Sequence, residues 1–167
     1  QRKLKGLVFL AALYHDIAKP AAMKLDDQGQ IRFWEHDRLG ASMASIRSRQ
    51  LALSNEEINH IEIIVRHHMR FIFHTNRQDK EGISPTRRAI YRFFRESGIA
   101  GVDLCLLGLA DIRATYQETL PQNTWAMALE VAKLLLENWF EKPAESIYPP
   151  ALVNGDDLMH VFRLPPG

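Results

Sequence analysis

The chain has 167 residues, 46% of them apolar and 25% charged, with a formal net charge of +1. That balance excludes wholesale disorder and suits one domain, or one with a small appendage, that buries its own core. One cysteine, Cys105, excludes a disulfide framework and a cysteine-based zinc cluster, and apolar runs such as 104–110 are far too short to span a bilayer.

Twenty Leu and seventeen Ala against six Val and five Thr favour helices over strands. Apolar residues at 7, 10, 11 and 14 make 4–14 one helical face leading into His15, and Pro20 stops that helix soon afterwards. Residues 24–33, with Asp26, Asp27 and Gly29, read as a loop or small hairpin. A second helix is expected over 37–50. Ser54 with Glu57 three residues on forms a capping box that opens a third, to about Phe71. The polar stretch 75–83 reads as a mobile loop. Ser84-Pro85 starts a fourth helix that Gly98 ends. A fifth is expected over 99–117 and a sixth over 123–141, between Pro121 and Pro143. After Pro149-Pro150 comes a connector, then a turn at Asn154-Gly155 and a short helix capped by Asp156. The expected architecture is an all-α helical bundle over 1–148 followed by the start of a C-terminal helical extension over 149–167. Both ends look cut, as in a piece of a longer protein.

Charge is distributed unevenly: +2 over residues 1–59, +5 over 60–95 and −6 over 96–167. A basic middle suits a polyanion, although ordinary solvated helix faces would look the same. Nothing at the N-terminus resembles a secretory signal, and the lone thiol fits a reducing compartment, so the expected location is cytoplasmic.

Phosphate-loop, dinucleotide, Gly-x-Ser-x-Gly and His-Glu-x-x-His signatures are all missing. What remains is a set of histidines and carboxylates on apolar helices. His15, Asp16 and Lys19 can share a helix face, as a metal-ligand pair beside a phosphate-binding lysine or as a packed His with an Asp–Lys pair. His36 precedes a helix. His68 falls on the core stripe of Ile58, Ile61 and Val65, where it needs a metal or a hydrogen-bond partner, and His67 lies about 100° around. Asp111 sits in an apolar stretch, where burial requires a cation, a capped backbone or an arginine such as Arg113. Cys105, Trp125, Met127 and Trp139 read as core and His160 as surface, while His60 and His74 carry no usable signal.

The ordered set His15-Asp16-Ile17-Ala18-Lys19-Pro20, Phe33-Trp34-Glu35-His36 with Gly40-Ala41, Val65-Arg66-His67-His68 and Leu109-Ala110-Asp111 resembles the HD superfamily of metal-dependent phosphohydrolases. More narrowly, 51–55, Asp111–Thr115 and 153–159 make nearly the whole chain similar to the HD region behind the polymerase head of bacterial tRNA nucleotidyltransferases (CCA-adding enzymes) and their poly(A) polymerase relatives. The resemblance implies an HD-type bundle and a first metal held by His15, Asp16 and Asp111. For a second metal it implies His36 with one or both of His67 and His68. Asp16 and Lys19 are then the catalytic residues, with Lys19 contacting phosphate or protonating a leaving oxygen. It also implies a further histidine ligand upstream of the chain, and a polymerase head absent from it, so that this piece does not add nucleotides. Oxygen and nitrogen donors without thiolates favour Mg, Mn, Ni, Co or Fe.

The function expected is therefore metal-dependent hydrolysis of a phosphomonoester or phosphodiester, with a nucleotide-like substrate. The alternative is a non-catalytic tRNA- or RNA-binding helical body. Arg88, Arg92 and Arg95 recur at helical spacing with Arg87 and Tyr91 beside them and suit RNA phosphates, or else form a solvated face that pairs with the acidic tail.

Overall fold

The computed structural model describes residues 4–149 and 155–163. Helix α1 (Leu4–Tyr14) runs through a turn into the short α2 (Lys19–Ala22). A two-stranded hairpin follows, β1 (Met23–Leu25) antiparallel to β2 (Ile31–Phe33), with Met23 opposite Phe33 and Leu25 opposite Ile31. Asp26 holds its turn by accepting the Gln28 and Gln30 amides and the Arg32 Nε–H. Then come α3 (His36–Gln50), α4 (Asn55–His67), α5 (Met69–Glu81), α6 (Arg87–Ser97) and α7 (Ala100–Tyr116), and a 3-10 turn leads to α8 (Gln122–Phe140) and α9 (Pro143–Ser146). Helix α10 (Gly155–Phe162) starts one residue before Asp156, so Asp156 lies within it; Pro150 and Asn154 of the expected connector and turn lie outside the described residues. The fold is an all-α bundle carrying one small hairpin.

Helix α4 is the central post, with Ile61, Ile64 and Val65 fully buried. Its N-terminus carries the capping box, Ser54 accepting the Glu57 amide while Glu57 accepts the Ser54 amide. Helix α3 meets α4 through Gly40, Ala41, Ala44, Ser45 and Ser48, all buried. Those small residues allow close approach: a Cβ at Gly40 would stand 3.4 Å from Val65 Cγ1 and 3.7 Å from the His15 carbonyl. Leu7 and Ala11 seal α1 on α4, and Leu104, Cys105, Leu107 and Ile112 bring in α7.

The expected loop over 75–83 is instead helix as far as Glu81. Its polar sequence hides tertiary support: Phe71 and Thr75 are buried, and Asp79 accepts from Asn123 Nδ2 and Thr124 Oγ1 of α8. Gly82, at φ 65°, then caps α5 in the left-handed region. The third helix does not run unbroken to Phe71 but breaks at His68, whose Nδ1–H takes the Val65 carbonyl. Helix α6 is capped by Thr86 rather than by Ser84, with Thr86 Oγ1 accepting the Ala89 amide. No described helix is long and apolar enough to cross a membrane.

Candidate metal centre

Each histidine of the site is aimed by the same local device. The Nδ1–H of His15, His36 and His68 donates to the carbonyl three residues earlier, on Ala12, Phe33 and Val65, at 2.7 Å in each case. A carbonyl only accepts, so Nδ1 carries a proton and each ring turns its Nε2 inward, the atom that can ligate a metal. The three rings come from the end of α1, the start of α3 and the break after α4, and the close α3–α4 contact brings the last two together. His36 and His68 are 8% and 3% exposed, and their Nε2 atoms lie 3.2 Å apart.

Asp16 stands between these rings with one oxygen on each side. Its Oδ1 lies 3.5 Å from His36 Nε2 and 3.6 Å from His68 Nε2. Its Oδ2 lies 3.2 Å from His15 Nε2 and accepts from Lys19 Nζ at 2.7 Å. Asp111, arriving from α7, places Oδ1 3.6 Å from the same His15 nitrogen. Two clusters therefore meet at one carboxylate: Asp16, His36 and His68, whose ligand atoms lie within 4.8 Å of one another, and His15, which stands between Asp16 and Asp111.

The donor set fits a divalent ion. His15 Nε2 and Asp16 Oδ1 are buried without a hydrogen-bond partner, a costly state that a cation relieves. Donor atoms that share one ion at about 2.1 Å stand about 3.0–3.6 Å apart, and Asp16, His36 and His68 meet that spacing. All donors are nitrogen or oxygen; Cys105, the only thiol in the chain, is buried elsewhere in the core.

Electrostatics follow the same geometry. Asp111 and then Asp16 raise the His15 pKa to about 10, against the opposing effect of burial. Burial pushes Asp16 up, but its neighbours His15, His68 and Lys19 outweigh burial and hold the carboxyl far below the usual range. Lys19 also lies 5.7 Å from the centre of the Phe33 ring, between the hairpin and the carboxylate.

His15, Asp16, Lys19, His36, His68 and Asp111 thus converge, and His67 does not join them. One step around the helix, it faces a cleft lined by Asp37, Arg38, Arg66, Arg70 and Glu96, and burial, then Arg70, lowers its pKa. The arginines expected on α6 are all exposed. Arg87, however, donates its guanidinium to the Glu145 carbonyl, and Arg95 lies 5.9 Å from the centre of the Tyr91 ring. Arg88, Arg92 and Arg95 have no carboxylate partner among the described residues. The sequence reading missed His60, whose Nε2 pairs with Asp103 at 2.6 Å between α4 and α7. Asp103 sits in an apolar stretch just as Asp111 does, the one signal that could have revealed it.

The sequence profile of the HD domain family matches residues 2–94. It takes in every member of the two clusters except Asp111. Over 159 residues, 95% of the chain, it is 26% identical to the CC-adding tRNA nucleotidyltransferase of Thermus thermophilus, of which the match covers 32%. Over 161 residues, 94% of the chain, it is 28% identical to the A-adding tRNA nucleotidyltransferase of Deinococcus radiodurans, of which 33% is covered. The chain thus spans about a third of the length of these curated relatives.

Proposed function

This chain belongs to the HD domain family, and from that premise we propose that it is a divalent-metal-dependent phosphohydrolase acting on a nucleotide-like phosphate mono- or diester. The observation that carries the reading is Asp16, one carboxylate serving two sets of inward-facing imidazole nitrogens, with buried polar atoms left unpartnered. His15, Asp16 and Asp111 would hold one ion, and Asp16, His36 and His68 another, chosen from Mg, Mn, Ni, Co or Fe. Such ions polarise a phosphoryl oxygen and supply a nucleophile near neutral pH.

The chain's own residues account for the rest. The three Nδ1–H···O=C bonds fix ring orientation, so that no rearrangement is needed when the ligands engage. Lys19, with its side chain 39% exposed, can swing from Asp16 to a phosphate oxygen, balance its charge and give a proton to the leaving oxygen. The cytoplasmic setting expected from the lone thiol belongs to the same reading.

Turnover of bis(p-nitrophenyl) phosphate with added Mn²⁺ or Ni²⁺ tests it. Hydrolysis should require the metal and disappear in Asp16→Ala with the helical circular dichroism retained. Equal rates with metal and with EDTA would overturn the proposal.

A second reading, a helical body that binds tRNA or RNA, draws on the exposed Arg88, Arg92 and Arg95 and on relatives whose names specify tRNA. The two readings are compatible, since the arginine helix supplies none of the clustered ligands.

A further inference from the structure

Between α5 and α6 lies an open cleft of about 430 Å³ that holds none of the metal-centre residues and shares only Arg92 with the arginine stripe. Its walls carry Arg70, Arg77 and Arg92 together with Phe73, His74 and Phe93, and no carboxylate is among its described lining residues. Phe73 is 57% exposed, so its ring is open to solvent. The Arg77 guanidinium stands 5.9 Å from the centre of that ring, and His74 lies edge-on between Phe73 and Phe93, at 5.6 and 6.3 Å.

Two of the arginines are pre-positioned. Arg70 is held by Glu96 at 2.6 Å and by the Arg92 carbonyl, and Arg77 pairs with Glu81 at 3.2 Å. Arg92 is exposed and has no carboxylate partner among the described residues, so its charge is available to a ligand. Burial, then Arg70 and Arg77, keep the His74 pKa low, so its ring stays neutral and apolar near pH 7. Arg70 is also a wall of the neighbouring cleft of about 500 Å³, where Arg38, Arg66 and His67 stand with Asp37 and Glu96. The two depressions adjoin at the Arg70 wall and make one track.

We propose that this track binds a single-stranded polynucleotide, with a base stacked on Phe73 and its phosphate on Arg92. In the first cleft an aromatic ring beside guanidinium groups, with no carboxylate among the described lining residues, matches a base with its adjacent phosphate. The second cleft, joined through Arg70, sets Asp37 and Glu96 beside Arg38 and Arg66, so the phosphate is placed in the first, on Arg92. This deepens the RNA-binding reading and rests on it for the class of ligand, but it invokes different side chains from Arg88 and Arg95.

Fluorescence anisotropy with a fluorescein-labelled oligoadenylate RNA, in EDTA, tests the track independently of any metal and of hydrolysis. Phe73→Leu keeps an apolar side chain at an exposed position and should weaken RNA binding on the order of tenfold, as expected for one lost base stack. The same variant should leave competition by inorganic polyphosphate unchanged, whereas Arg92→Gln should weaken both. RNA affinity unaltered in Phe73→Leu would overturn the proposal, as would competition by polyglutamate as strong as by unlabelled RNA. Normal loss of affinity in an Arg88→Gln/Arg95→Gln double variant, with no effect of Phe73→Leu, would leave the RNA reading standing and remove this track from it.

Discussion

His36 Nε2 and His68 Nε2 face each other across 3.2 Å, although the residues lie 32 apart in the chain. With each Nδ1–H committed to a carbonyl, both rings point Nε2 at the same space. Two imidazole nitrogens this close need a proton or a cation between them, and Asp16 Oδ1 completes a triad for a cation. His36→Asn should therefore lose the ion on the Oδ1 side and keep that on the His15–Asp111 side. Asp111→Asn should do the reverse, and Asp16→Asn should lose both. Mn²⁺ binding followed by electron paramagnetic resonance reads this out; retention of both ions in Asp16→Asn would exclude a shared carboxylate.

Without metal, His15 keeps its proton up to about pH 10, against 6.5 for an ordinary histidine. The folded state therefore binds that proton more tightly than the unfolded chain does. The resulting stability is fully present below about pH 6.5 and is lost as pH rises through about 10. Urea unfolding in EDTA across that window should show falling stability, with a shallower fall in His15→Asn. Equal slopes would show that His15 is not the group responsible.

Gly108 on α7 packs directly under Phe71, and a Cβ there would run into the ring. Gly108→Ala should destabilise the fold by about 1–3 kcal/mol, the usual range for overpacking. Gly6, also helical, has nothing within 4 Å of a Cβ, so Gly6→Ala should stabilise by roughly 0.5–1 kcal/mol. Urea midpoints of the two variants should move in opposite directions.

If Arg88, Arg92 and Arg95 meet RNA phosphates, each contact releases counterions and steepens the salt dependence by about 0.7 log units per decade. Replacing all three with Gln should flatten the slope of log affinity against log salt by roughly two units. An unchanged slope for tRNA would return the stripe to an ordinary solvated face.

The helical periodicity of 4–14, the Ser54–Glu57 box and Gly98 after α6 were legible because each acts within a few residues of itself. The hairpin was legible for the same reason, since Asp26 and Gly29 make its turn locally. The helix over 75–81 was not, because its support comes from Asn123 and Thr124, 44 and 45 residues away from Asp79. Nor could spacing reveal that Arg87 is occupied by a carbonyl 58 residues on.

Residue types alone determined that this chain carries a helical bundle with nitrogen and oxygen donors on its inward faces and no thiol site. Adjacent His67 and His68 mark the limit of that reading, since about 100° of helical rotation separates two side chains of identical chemistry. Only the packing of α3 on α4 through Gly40 and Ala41 decided that His68 meets His36 and Asp16 while His67 turns to Arg66 and Arg70. Local spacing sets which residues share a face; which face meets which is set by close contacts between segments far apart in the chain.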